Sequence, residues 1–301
     1  MRKRLAVLVV GLLAAVAATS AAAAASTLPV VYNSANGDAH SSPTASPPGA
    51  NDWSCHPTAA HPRPVILVHG TFENMASNWQ ALSPLLANHG YCVFALNYGS
   101  YDNSGVTGID ATGPIETSAQ QLSAFVTKVL TATGAHKVDL VGHSQGGMMP
   151  RYYLKFLGGA SKVDALIGLA PSNHGTTLDG LNALTSQIPG ASNQPTCPAC
   201  SEQMTGSAFL TKLNAGGDTV PGVRYTVIES RNDEVVTPYT SAFLTGPNVT
   251  NILLQSQCSL DQGEHLSMAY DHIADGDVLN ALDPANPVAP ACTPVAPVTG
   301  G

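Results

Sequence analysis

Charge is scarce in this sequence. Only 11% of its 301 residues are Asp, Glu, Lys or Arg, and basic residues are the rarer kind, 12 against 20 acidic. A formal charge of −8 argues against a surface built to hold phosphate, so nucleic acid is not an expected partner. Beyond the first 25 residues no apolar run is long enough to span a bilayer. There is no internal repeat. Cys197-Pro-Ala-Cys200 lacks the second Cys-x-x-Cys that a zinc ribbon needs. The acidic stretch "DHIADGDV" (271–278) lacks the ligand spacing of an EF-hand loop. No metal and no cofactor is expected. What is abundant is hydrophobic residues, 44% of the chain, enough to bury the core of one large domain or two small ones.

The ends are set apart by composition. Arg2, Lys3 and Arg4 precede the apolar stretch Leu5 to Ala18 and small residues through Ala25, the pattern of a signal peptide over 1–25, with cleavage between Ala21 and Ser26. Its removal leaves nine basic against 20 acidic residues, a charge of −11. The mature chain is therefore expected to be secreted, without an integral membrane segment. Residues 26–62, rich in Ser, Pro, Ala and Asn, read as an extended lead-in pinned near Cys55, and 293–301 as a flexible tail. Six cysteines in an exported chain suggest three disulfides, and six permit 15 pairings. A local bridge between Cys197 and Cys200 is the one that the residues themselves favour.

Between the ends, short apolar runs alternate with helical patterns: "VILV" (65–68), "VFAL" (93–96), "VDLV" (138–141), "ALIGL" (165–169), "YTVI" (225–228) and "ILL" (252–254). Most do not alternate polar with apolar, which predicts strands buried on both faces, as in a parallel sheet. Ala119, Leu122, Phe125, Val126, Val129 and Leu130 recur at helical spacing, and further helices are expected near 77–88, 147–157 and 266–281. Strand–helix alternation of this kind means an α/β architecture with right-handed crossovers. The loop-rich segment from Pro171 to Gly222, with only fragments of helix, reads as a cap insertion over a site.

Ser144 lies in "VDLVGHSQGGMM", flanked at two residues' distance by Gly142 and Gly146, where the third run gives way to a helix. That is the strand-to-helix turn of a G-x-S-x-G nucleophile elbow, which lifts the hydroxyl above the sheet beside a helix N-terminus. A serine hydroxyl needs a base, and the base an orienting acid. The chain order Ser, acid, His is met by Asp233, beyond "RYTVIE", and His265, beyond "NILLQ". Glu229 and Glu234 compete with Asp233, and His272 with His265. His143 is read as packed beneath the elbow. An oxyanion needs two amides. One is that of Gln145; the other is that of Thr71 in "VHGTFEN" (68–74), with Phe72 as the alternative, while the His69 ring braces the loop.

Together, "VILVHGTFENMASNWQALSPLLANHGYCVFALNYG" (65–99), "VDLVGHSQGGMMPRYYLKFLGG" (138–159), "RNDEVVTPY" (231–239) and "GEHLSMAYD" (263–271) resemble the α/β-hydrolase family, and within it secreted bacterial lipases and esterases of actinomycete type, class 2-like. The resemblance runs from Trp53 to Cys292. It implies a central, mostly parallel sheet flanked by helices, with a catalytic domain over 63–292. It puts Ser144, Asp233 and His265 in the triad, and His174 at the frame of the site. It also implies disulfides Cys55–Cys92, Cys197–Cys200 and Cys258–Cys292. The expected activity is that of a serine carboxylic-ester hydrolase, a triacylglycerol lipase or esterase. It would work as a monomer on ester or lipid substrates, met at a lipid–water interface. An acyltransferase or polyester depolymerase could use the same triad, and an inactive exported binding module could keep the fold.

Overall fold

The six apolar runs assemble side by side in one sheet. Strands β1 (Val65–Val68), β2 (Val93–Leu96), β3 (Val138–His143), β4 (Val163–Leu169), β5 (Arg224–Glu229) and β6 (Val249–Leu253) lie in the order β2-β1-β3-β4-β5-β6, every neighbouring pair parallel. The computed structural model describes residues 27–34, 42–100, 108–188, 190–191 and 196–301. The expected signal peptide and its cleavage site lie outside them.

Successive side chains of a strand point to opposite faces. Ile66, Val68, Phe94 and Leu140 enter one core, while Val65, Leu67, Val93 and Val141 enter the other. Both faces are covered, which is why these runs are apolar throughout instead of alternating. Truncating Leu140, fully buried, to alanine should cost roughly 2–5 kcal/mol.

The helices are α1 (Met75–Asn78), α2 (Leu82–Asn88), α3 (Ile115–Thr133), α4 (Gln145–Phe156), α5 (Leu178–Gln187), α6 (Pro198–Glu202), α7 (Ala208–Asn214), α8 (Leu254–Gln257) and α9 (His272–Leu282). Helix α3 buries Ile115, Ala119, Leu122, Val126 and Val129 and stops at Gly134, whose φ of 70° is the left-handed cap. The sheet core on its other face takes Trp79, Leu82 and Leu86 from α2 and its approach, and Ile273, Ala274 and Val278 from α9.

Three boundaries differ from expectation. The helix read near 77–88 is two helices, α1 and α2, with Trp79 turned into the core between them. The helix read from 266 starts at His272, because Asp271 caps it by accepting the Ile273 and Ala274 N–H groups, and Ser267–Tyr270 forms a separate 3₁₀ turn. The last strand ends at Leu253, and Leu254 already belongs to α8. The end of the chain, read as a flexible tail, is docked: Val295 is buried, its carbonyl accepts the Gln262 N–H, and the Val298 N–H reaches Glu264.

The chain leaves β1 outward to β2 and returns to β3 on the opposite side. Ligands of open α/β sheets bind at such a reversal, beyond the strands' carboxyl ends. The loops after β1 and β3 meet there.

Candidate active site

Ser144 sits at that reversal with φ 54° and ψ −123°, a region non-glycine residues enter only when their surroundings impose it. Two close approaches impose it. A Cβ on Gly142 would lie 1.9 Å from the Gly146 carbonyl oxygen, and one on Gly146 would lie 2.0 Å from that of Val68. The Ser144 N–H donates to Leu169 O at 2.9 Å, tying the turn to β4.

From the hydroxyl an unbroken chain runs inward. Ser144 Oγ is 3.0 Å from His265 Nε2, and His265 Nδ1 is 2.8 Å from Asp233 Oδ2. The other Asp233 oxygen accepts the Val235 and Val236 N–H groups, both at 2.7 Å. The carboxylate can only accept, so Nδ1 carries the proton and Nε2 is free to take one from Oγ. Burial disfavours the His265 imidazolium, but the Asp233 carboxylate outweighs it, and the ring's pKa lies above its ordinary value. All three side chains are buried.

The competing residues are engaged elsewhere. His272 faces Ala291 O, Gly301 O and Thr293 Oγ1. Glu234 accepts from Gln187 Nε2 at 2.7 Å. Burial, and then Glu264 beside it, push the Glu234 carboxyl up to about 7. Glu229 closes β5, fully buried, and does not reach the imidazole. His174, expected at the frame of the site, has its ring between Ser241 O at 2.9 Å and Asp218 Oδ1 at 3.1 Å. Asp218 also holds Thr245, so His174 ties the segment after β4 to that after β5.

At the mouth of the β1 loop, the Phe72 N–H donates to Asp110 O at 3.0 Å. The Thr71 and Gln145 N–H groups have no acceptor among the described residues. Their side chains join: Gln145 Nε2 donates to Thr71 Oγ1 at 2.8 Å, and Gln203 Nε2 donates to the same oxygen at 2.9 Å. Spacing in the sequence gives no sign of this link, nor of Gln203, which follows α6. His69 is held as expected, stacked on Tyr98 with ring centres 4.5 Å apart, while Tyr98 donates to His69 O.

Glu73 is a second residue that the sequence did not single out. Its Oε2 is 2.9 Å from His143 Nδ1 and 3.1 Å from the Gly70 N–H. His143 Nε2 lies 2.9 Å from the His265 carbonyl, which can only accept, so Nε2 carries a proton. Burial disfavours the Glu73 carboxylate, yet His143 beside it holds its pKa below the usual range. One carboxylate thus connects the elbow, the β1 loop and the backbone of His265. The expected packing of His143 beneath the elbow becomes a directed contact.

Phe72, Leu184, Ala191 and Val235 form an apolar cluster edged by Ile188 and Leu266. Helix α5 and its flank supply Leu184 and Ile188, while Phe72, Val235 and Leu266 are chain neighbours of Thr71, of the Asp233 loop and of His265. The three expected disulfide pairs, Cys55–Cys92, Cys197–Cys200 and Cys258–Cys292, are all formed. Among the described residues, no three His, Cys, Asp or Glu side chains are grouped to hold a metal ion, and no helix is long and apolar enough to cross a membrane.

Known proteins resemble this chain in sequence and in fold. The chain is 40% identical over 99 residues to a triacylglycerol lipase of Pseudarthrobacter phenanthrenivorans, covering 31% of this chain and 28% of that protein. It is 26% identical over 235 residues to lipase B of Pseudozyma antarctica, covering 73% of this chain and 62% of the relative. The chain therefore matches less than two thirds of the length of these curated relatives. Among solved structures, Aspergillus fumigatus lipase B superposes with a TM-score of 0.63 at 21% identity, over 82% of this chain and 57% of the other. The mature form of Bacillus licheniformis lipase BlEst2 gives 0.53 at 17% identity, over 75% and 94%. These two establish a shared α/β-hydrolase fold. The family model for lipase (class 2) matches residues 62–274, and the chain belongs to that family.

Proposed function

We propose that the protein is a secreted serine carboxylic-ester hydrolase, a triacylglycerol lipase or esterase working through an acyl-enzyme on Ser144. The observation that carries the reading is the continuous contact from Ser144 Oγ through His265 to Asp233, at 3.0 and 2.8 Å. His265 takes the hydroxyl proton as Oγ attacks the ester carbonyl, and Asp233 holds the imidazole and stabilises its charge. The Thr71 and Gln145 amides receive the oxyanion. The Thr71 hydroxyl can add a third donor, since Gln145 and Gln203 fill its two acceptor positions and leave its proton free. His265 then protonates the departing alcohol, and water hydrolyses the acyl-enzyme by the same route.

Family membership and the lipase relatives support an acyl ester as substrate. The apolar cluster that includes Phe72, Val235 and Leu266, residues on the same loops as Thr71, Asp233 and His265, suits acyl chains better than charged ones. Three disulfides fit export into an oxidising compartment. The deciding test is Ser144→Ala on p-nitrophenyl butyrate and on emulsified triglyceride. Turnover should fall by several orders of magnitude, and labelling by a fluorophosphonate should disappear. Near-normal turnover would end the assignment.

A further inference from the structure

Behind Asp233 lies a buried acid for which the proposed chemistry has no use. Glu229 is the last residue of β5, in register with Leu253 of β6, and is 0% exposed. Its Oε1 accepts the Ser230 N–H at 2.8 Å, while its Oε2 meets no donor. Among the described residues no Lys, Arg or His forms an ion pair with it. Its side chain is in hydrogen-bonding contact with that of Asp233.

Two carboxyl groups in contact in a dry interior cannot both be ionised, so the pair holds a proton. Its location follows from the partners. Asp233 faces an imidazole N–H and two backbone N–H groups, all of which favour the anion. Glu229 has one backbone N–H. The proton therefore belongs on Glu229, and burial followed by the nearby Asp233 charge pushes its carboxyl well above the ordinary range. A carboxylate has about four acceptor positions. Three on Asp233 are filled by His265, Val235 and Val236, and Glu229 supplies a donor for the fourth.

We propose that Glu229 is a positioning residue behind the triad, a neutral acid that donates a hydrogen bond to the Asp233 carboxylate and limits how much of its charge acts on His265. This rests on reading Ser144, His265 and Asp233 as nucleophile, base and orienting acid. The groups that face His265 electrostatically are the Asp233, Glu264 and Glu73 carboxylates, with the His143 ring 5.0 Å from its own. Three acids already raise its basicity. A fourth anion, or an Asp233 stripped of a donor, would hold the imidazolium too tightly for a base at neutral pH.

The test uses the full chain and the pH profile of kcat/KM on p-nitrophenyl butyrate. Glu229→Gln keeps both neutrality and a donor. Its acid limb should coincide with that of the wild type, with kcat within about threefold. Glu229→Leu keeps bulk and loses the donor. Its acid limb should move to higher pH, and kcat at neutral pH should fall roughly tenfold at unchanged KM. An infrared difference spectrum at neutral pH, wild type minus Glu229→Gln, should contain the carbonyl stretch of one neutral carboxylic acid. A Gln variant whose acid limb drops by about a unit, or a spectrum with a carboxylate band in its place, would overturn the proposal. A folded Leu variant with the wild-type profile would do the same. Where Glu229→Leu fails to fold, the near-isosteric Gln variant and the spectrum decide. The spectrum reads Glu229 independently of turnover, so loss of the triad reading through an active Ser144→Ala variant would be recognised separately.

Discussion

Gly146→Ala separates a helix-propensity argument from a packing one. Gly146 is the second residue of α4, and alanine is favoured over glycine in a helix interior by about 1 kcal/mol. Local reasoning therefore expects stabilisation. The new Cβ would lie 2.0 Å from Val68 O and 2.5 Å from His69 O, where ordinary contact begins at 3.4 Å, a shortfall of 1.4 Å at the first atom. Both obstacles are backbone at the end of β1, so no rotamer change relieves them. Overpacking costs about 1–3 kcal/mol or more, and the clash wins. Relief requires α4 to move away from β1, carrying Ser144 off its 3.0 Å contact with His265. A displacement near 1 Å can reduce turnover by about a hundredfold. Gly134→Ala is the control: φ is 70° but no atom lies within 4 Å, so only the left-handed conformation is penalised, by about 1 kcal/mol. Thermal melts and kcat on p-nitrophenyl butyrate should show Gly146→Ala losing both stability and turnover, and Gly134→Ala losing a little stability alone. A Gly146→Ala enzyme as stable and active as wild type would refute the close-approach account of the elbow.

Three further outcomes are expected. If His143 holds the His265 carbonyl by its Nε2–H, His143→Gln should retain turnover within several-fold while the space-filling His143→Phe loses about tenfold or more in kcat at steady KM; the opposite ranking would make His143 mere packing. Burial lifts Asp139 and Asp277 to about 6 and Asp271 to about 7, and with its neighbour Glu264 lifts Glu234 to about 7. Raised carboxyls favour folding in full below their unfolded values near 4, and that contribution is lost as pH climbs through 6 to 7. The lowered Glu73 and Glu264 act in the opposite sense. The Tm should therefore be higher at pH 5 than at pH 8 at equal ionic strength, and a rise toward pH 8 would contradict this balance. Chain entropy assigns Cys55–Cys92, at separation 37, about 4 kcal/mol and Cys197–Cys200, at separation 3, about 2 kcal/mol. Paired Cys→Ala variants should rank that way in urea unfolding, and equal losses would show that loop length is not what decides.

The site was legible where its determinants are local. Gly142, Ser144 and Gly146 span five residues, and the steric demand that selects two glycines acts within that turn and against the adjoining strand. The runs around Leu67 and Leu140 showed burial on both faces because side-chain alternation is a property of the single strand. Asp233 and His265 could be placed by chain order, since each follows a recognisable run. Chain order by itself does not separate Asp233 from Glu229 and Glu234, which lie within six residues; ending the strand at Glu229 and turning Glu234 to water favours Asp233 in the sequence, while what each acid faces is a tertiary matter.

Sequence alone thus determined the strand set, the parallel layering, the Ser144 turn and the loops that hold Asp233 and His265, all of which follow from short-range periodicity and steric need. Tertiary structure alone decided the rest: that Glu73 joins His143 to Gly70, that Gln203 beyond α6 reaches Thr71, that Val295 docks the chain's end, and that Glu229 lies against Asp233. The physical reason is range. A hydrogen bond acts over about 3 Å, and Gln203 meets Thr71 across 132 positions of chain, a separation over which no local pattern records which polar group will arrive.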